Sequence, residues 1–126
     1  MNFRIKRLAS QFREEITQII QHEIKDPRVL EHFVTITDVE VFQDLTQAKV
    51  FVSIIDEHKF KVLEGLNHTS GFIRSILGKR LSLRKIPKLD FFLDDTPESA
   101  ARMIKKIEEI KEREEWEKKK LEGEQE

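Results

Sequence analysis

Residues able to make or break bonds are few in this 126-residue chain, and their spacing does not assemble them into a centre. Cysteine is absent, which removes thiolate nucleophiles, thiolate zinc sites, iron–sulfur clusters and disulfides together. The histidines, His22, His32, His58 and His68, form no HExxH or other close ligand pair, and His58 and His68 fall at opposite ends of one expected helix. Asp94 and Asp95 are adjacent acids, but followed by Thr96 and Pro97 they read as a strand exit and a helix cap. No phosphate-cradling glycine pattern of the P-loop or dinucleotide type occurs. The expectation is a protein that is not an enzyme and takes no metal and no cofactor.

The remaining chemistry is charge. With 23 Lys and Arg against 24 Asp and Glu the chain carries −1 overall, which at face value disfavours a polyanion ligand. Divided along the chain, residues 1–94 hold 15 basic and 13 acidic side chains, and residues 95–126 hold 8 and 11. An acidic tail therefore masks a mildly basic body. Within that body Arg4, Lys6, Arg7 and Arg13 precede the first acid, Glu14, and Ser70 to Leu89 contains Arg74, Lys79, Arg80, Arg84, Lys85 and Lys88 with no acid at all. Six cations without a counter-charge form a phosphate-binding candidate as well as an ordinary solvated face. Phe3, Phe12, Phe51, Phe60, Phe72 and Phe91 fall largely on apolar stripes and are expected in the core rather than on a base-stacking surface.

These residues need elements to hold them. Ile5, Leu8, Phe12, Ile16, Ile19, Ile20 and Ile24 recur at steps of three and four and predict a helix that stops before Pro27. Phe33 to Val41 is rich in β-branched residues, and its apolar phase slips between Ile36 and Val39, through a bulge near Thr37-Asp38 or through burial of both faces at one end. Clean alternation in Ala48, Val50, Val52 and Ile54 predicts an antiparallel partner strand. Asp56 is the expected cap of a second helix with Phe60, Leu63 and Leu66 inward, and Thr69-Ser70-Gly71 kinks it into a further helix carrying Phe72, Ile73, Ile76 and Leu77.

Leu89, Phe91 and Leu93 then mark a third strand. Asp95-Thr96-Pro97-Glu98 opens a last helix whose stripe, Ala100, Met103, Ile104, Ile107 and Ile110, gives way to a charged tail, either helical or disordered. The fold class is α+β: a three-stranded sheet backed by helices on one face, in the αββααβ order of a type II KH-like domain at residues 1–110, followed by a charged C-terminal tail at 111–126. The KH nucleotide clamp requires two glycines three apart. Gly65, Gly71, Gly78 and Gly123 supply no such pair, which disfavours a general KH-type RNA-binding protein. No apolar run reaches the length of a membrane span, and the amphipathic N-terminus is not a signal segment, so a cytoplasmic protein with no membrane partner is expected.

Segments Glu23-Ile24-Lys25-Asp26-Pro27-Arg28, Asp44 to Val52, Ser70 to Lys79 and Pro87 to Phe92 together resemble the bacterial ribosome-binding factor A family over nearly the whole span from the first helix to Met103. The resemblance implies a KH-like fold in which a kink around a small-x-Gly element, here Thr69, Ser70 and Gly71, replaces the glycine loop. Thr69 stands where the family usually has Ala. Threonine is small and can bond back within its helix, so the kink is expected to survive.

The resemblance further implies a non-enzymatic assembly factor for the small subunit. Its partners would be the immature 30S ribosomal subunit and 16S rRNA, whose 5′-end maturation it supports, including during cold adaptation. An assembly GTPase is a candidate further partner, and the protein itself would be a monomer. Lys25, Arg28, Lys49, Arg74, Lys79, Arg80, Arg84, Lys85 and Lys88 are the expected RNA-binding residues, contacting phosphates rather than reading bases. The competing reading is a protein-interaction module that recruits a partner through its acidic tail.

Overall fold

The computed structural model describes residues 3–30, 33–94 and 96–124. Helix α1 (Phe3–His22) buries Phe12, Ile16 and Ile19, the middle of the expected stripe. Ile24 is also buried, but beyond the helix end. The chain then makes a short helix, α2 (Pro27–Leu30), which the apolar pattern does not signal. Its start is local chemistry: Pro27 takes the first helical position, where no N–H is needed, and the Arg28 N–H donates to Asp26 Oδ1 at 2.9 Å.

Strand β1 (Phe33–Val41) pairs antiparallel with β2 (Gln47–Ile55), and the register shifts between Ile36 and Asp38. Thr37 is the extra residue, so the phase slip in the sequence is a bulge. Its hydroxyl is occupied by the Phe51 carbonyl at 3.2 Å and Asp94 Oδ2 at 2.5 Å. In the β1–β2 turn, Asp44 Oδ1 accepts from the Thr46 N–H and hydroxyl, and Leu45 takes a positive φ of 60°. Strand β3 (Lys88–Leu93) lies parallel to β2, giving the order β1-β2-β3. A parallel neighbour requires a crossover, which helices α3 (Lys59–His68) and α4 (Ser70–Leu81) provide.

Ile36, Val39 and Val41 from β1, Ala48, Val50, Val52 and Ile54 from β2, and Leu89 and Phe91 from β3 point to one face. They meet Phe12, Ile16 and Ile19 of α1, Val62 and Leu66 of α3, and Ile73 and Leu77 of α4 in one core. The opposite face of the sheet carries the alternate residues. This is the αββααβ KH-like arrangement, with α2 added. Asn67 at the end of α3 clamps the outer strand, donating to the Phe91 carbonyl at 3.2 Å and accepting the Phe91 N–H at 2.9 Å, so the free edge of β3 is partly closed.

Three expectations are corrected. Asp56 does not cap α3: its Oδ1 accepts the His58 N–H at 2.6 Å in a turn, and the helix begins at Lys59 without a side-chain cap. The buried stripe of α3 is consequently Val62, Gly65 and Leu66, and Phe60 is 69% exposed. The phenylalanines are not mostly core: Phe12 and Phe91 are, whereas Phe3, Phe33, Phe60, Phe72 and Phe92 are exposed.

The compact body ends at Asp94, and residues from Asp95 onward form a second unit containing helix α5 (Pro97–Glu124). The tail is thus helical to Glu124. Ile104, expected on an apolar stripe, is exposed. His32, the expected cap Asp95 and the side chains of Ala100 and Met103 lie outside the described residues. No helix among the described residues is long and apolar enough to cross a membrane.

Candidate nucleic-acid interface

The break between α3 and α4 falls at Thr69, with φ −92° and ψ 5°. The Thr69 hydroxyl bonds back to the carbonyls of Gly65 and Leu66, each at 3.1 Å, and the Thr69 carbonyl accepts the Ile73 N–H, which starts the new helix. The Thr69 N–H reaches the same two carbonyls, so the hydroxyl adds a second bond to the last turn of α3 and threonine is compatible with the break. Gly71, in the first turn of α4, has ordinary negative φ, and a Cβ there would meet nothing within 4 Å. Its surface is open to solvent.

Helix α4 ends at Leu81 on a left-handed Ser82 (φ 52°), and the Leu83 N–H returns to the Gly78 carbonyl. The chain then packs Ile86 onto the helix. A Cβ on Gly78 would lie 1.9 Å from Ile86 Cδ1, so only glycine permits this approach without displacement. Pro87 is fully buried behind it. The loop bearing Arg84 and Lys85, which leads into Lys88 at the start of β3, is thereby held against the C-terminal half of α4.

The expected phosphate ligands separate by what they touch. Arg74 donates from Nε and Nη2 to the Ile86 carbonyl, at 3.0 and 2.6 Å, tying α4 to the loop. Arg80 reaches α1 and its exit, 3.3 Å from Glu15 and 3.5 Å from Glu23. Arg28 forms a fork with Asp26, at 3.1 and 2.8 Å, and lies 3.7 Å from Glu64. That fork, with the Arg28 N–H, holds the Asp26 carboxyl at a pKa of about 2, and the same bond raises that of the Arg28 guanidinium.

Lys85 Nζ approaches the Asp44 carbonyl at 3.5 Å, and Asp44 is held below the usual carboxylate range chiefly by its bonds to Thr46. Lys49 projects from the open sheet face between the rings of Phe42 and Phe92. Lys25, Lys79, Arg84 and Lys88 are exposed, and among the described residues their side chains carry no hydrogen bond or ion pair. The structure thus gathers Lys79, Arg84, Lys85 and Lys88 at one end of α4 and of the sheet. Lys25 and Arg28 stand at the α1 exit, and Arg28 lies against α3. On α1, Arg7 and Arg13 are exposed.

Sequence reasoning missed one component. Phe51 and Phe92 are register partners on the open face, with ring centroids 5.9 Å apart. Their positions out of phase with Val50, Val52 and Phe91 were the available signal.

The family model described as Ribosome-binding factor A matches residues 4–107. A ribosome-binding factor A of Acetivibrio thermocellus is 44% identical over 108 residues, which is 84% of this chain and 87% of that one. A Thermotoga maritima protein solved by NMR is similar in fold, with a TM-score of 0.65 and 30% identity, covering 77% of this chain and 95% of that one. A Thermus thermophilus ribosome-binding factor A, fitted as a homology model into a cryo-EM map of its complex with the 30S subunit, shares the fold at a TM-score of 0.56 and 24% identity, covering 68% of this chain and 90% of that one. The kink, the capped Asp26-Pro27-Arg28 turn and the three-stranded sheet are accordingly features of a family member: this chain belongs to the ribosome-binding factor A family.

Proposed function

We propose that the chain is a non-enzymatic assembly factor that binds the immature 30S subunit through 16S rRNA phosphates. In this role it supports 16S rRNA 5′-end maturation and growth in the cold, acting as a monomer in the cytoplasm. An assembly GTPase is a candidate for driving its release. The RNA-binding domain is taken as residues 1–110, a division supported by the family match ending at 107, with 111–126 as a charged tail. The complex described for the Thermus relative supports the choice of partner.

The observation that carries this reading is the set of exposed cations without a partner among the described residues, Lys79, Arg84 and Lys88, around the close approach of Gly78 and Ile86. Like charges grouped without acids repel one another, so the fold gains nothing from them, whereas a phosphate backbone gains from each. Lys25, Lys49 and Lys85 extend the surface. Arg28, Arg74 and Arg80, occupied within the fold, position it. Gly71 offers a place where a ligand backbone can come close.

Replacing Lys79, Arg84 and Lys88 together with Glu is expected to abolish co-sedimentation with precursor 30S subunits while circular dichroism and melting stay as in the wild type. Retained co-sedimentation contradicts the assignment. Exposed Trp116 and Leu121 on α5 favour the second reading, recruitment of a protein partner through the tail. Deleting residues 111–126 separates the two, since the assembly-factor reading predicts retained subunit association and the recruitment reading predicts its loss.

A further inference from the structure

We infer that the open face of the sheet is a stacking platform for unpaired RNA bases, with Phe51 and Phe92 as its floor, Lys49 reaching over the Phe92 ring and Lys88 at its rim. The inference rests on the RNA-binding reading above and names the form of RNA engaged, single-stranded rather than duplex.

The helices cover one face of the sheet, and that face takes Phe91 to 2% exposure. Its neighbour Phe92 points the other way and stays 42% exposed. Phe92 pairs in register with the half-buried Phe51 on β2, the two rings inclined at 33°, so adjacent strands place two rings side by side on this face. Bases of any identity offer a π face to such rings, and exposed aromatics on a sheet are a known means of holding splayed-out bases.

The charge distribution supplies the direction of the strand. Lys49 Nζ sits 5.8 Å from the centre of Phe42 and 5.9 Å from that of Phe92, without an ion pair among the described residues. Lys88 opens β3 opposite Gln47, at the end of the sheet that the Arg84–Lys85 loop borders, where Lys85 reaches the β1–β2 turn. Phosphates held by this loop and by Lys88 would deliver the next nucleotides over Lys49 onto the rings. Glu40 and Asp90 flank Lys49 in register, and Asp38 stands opposite Phe51. Glu40 and Asp38 repel phosphate and accept from exocyclic amino groups, so they favour base edges over backbone on the β1 side, while Asp90 on β3 lies between Lys88 and Phe92, where the backbone must pass it.

The test uses the full-length protein and two RNAs: a short unstructured strand carrying 2-aminopurine, whose fluorescence is quenched on stacking, and a hairpin duplex. Wild type is expected to quench the strand. Phe92→Leu and Phe51→Leu, which keep an apolar side chain at each position, are expected to remove the quench and lower affinity for the strand roughly tenfold, leaving duplex affinity unchanged. Phe60→Leu, an exposed ring on α3, is the control that alters neither. Unchanged quenching in Phe92→Leu, an equal loss for both RNAs, or no quench by wild type overturns the platform. A protein that shows no quench yet co-sediments with precursor subunits loses the platform but keeps the subunit reading. Quenching that persists while the Lys79, Arg84 and Lys88 charge reversals still co-sediment sinks only the latter assignment.

Discussion

Between Ser70 and Lys88, residues of the same type fall into two sets. Gly78 is closely approached by Ile86, Arg74 is bound to the Ile86 carbonyl, and Arg80 is held between Glu15 and Glu23. A Cβ on Gly71 would meet nothing within 4 Å, and Lys79, Arg84 and Lys88 have no partner among the described residues. The first set explains itself by folding. The second weakens the helix start and concentrates like charge, which folding does not call for and which the proposed contact with RNA would use. A charge run is informative only after the cations that the fold consumes are removed from it.

The largest effect that sharpens this contrast is the triple Lys79, Arg84 and Lys88 reversal to Glu. Affinity for precursor subunits is expected to fall on the order of a hundredfold with no change in melting temperature. Gly78→Ala should do the reverse in kind. The clash is with the terminal methyl of Ile86, which can turn aside, so the cost is expected to be about 1 kcal/mol in denaturant unfolding, with binding affected only through the disturbed loop. Arg74→Ala removes a charged donor from the Ile86 carbonyl and should cost about 1 kcal/mol by the same measurement, the low end expected for a solvent-exposed bond. Gly71→Ala should stabilise the protein by about 0.5 kcal/mol while lowering subunit affinity, and loss of stability there would erase the distinction between the two glycines.

Acid titration gives the smallest effect. The Asp26 carboxyl is lowered from 3.8 to about 2 in the folded protein, so it contributes stability that is complete above its unfolded value and is lost as pH falls from about 4 through 2. Asp26→Asn keeps a side-chain oxygen for the α2 cap but removes the charge. Its stability should vary less over that pH interval than the wild type's. An unchanged acid slope would show that the Arg28 fork is not what holds Asp26 ionised.

Much of the fold was legible because it is local. The phase slip between Ile36 and Val39 became the Thr37 bulge, and Thr69-Ser70-Gly71 became the helix break. Helix α2 was not legible, since four residues are too few for a periodicity and its start depends on one carboxylate. The direction of the phenylalanines failed for a related reason. Phe60 has apolar neighbours at helical spacing, but the helix begins at Lys59, after the Asp56 turn, and the core takes Val62 instead. Among the cations, type and clustering were visible, yet the partners of Arg80 lie 65 and 57 residues away along the chain. No window of sequence shows which guanidiniums are already committed.

The central claim, that the unpartnered cations meet rRNA phosphates, is tested most directly by the salt dependence of affinity for precursor 30S subunits. Wild type should be compared with a variant in which Lys79, Arg84 and Lys88 are each replaced by Gln. If these cations neutralise phosphates, the slope of log affinity against log salt becomes shallower by about three in the variant, one for each phosphate left without its cation. An identical slope in the two proteins contradicts the account.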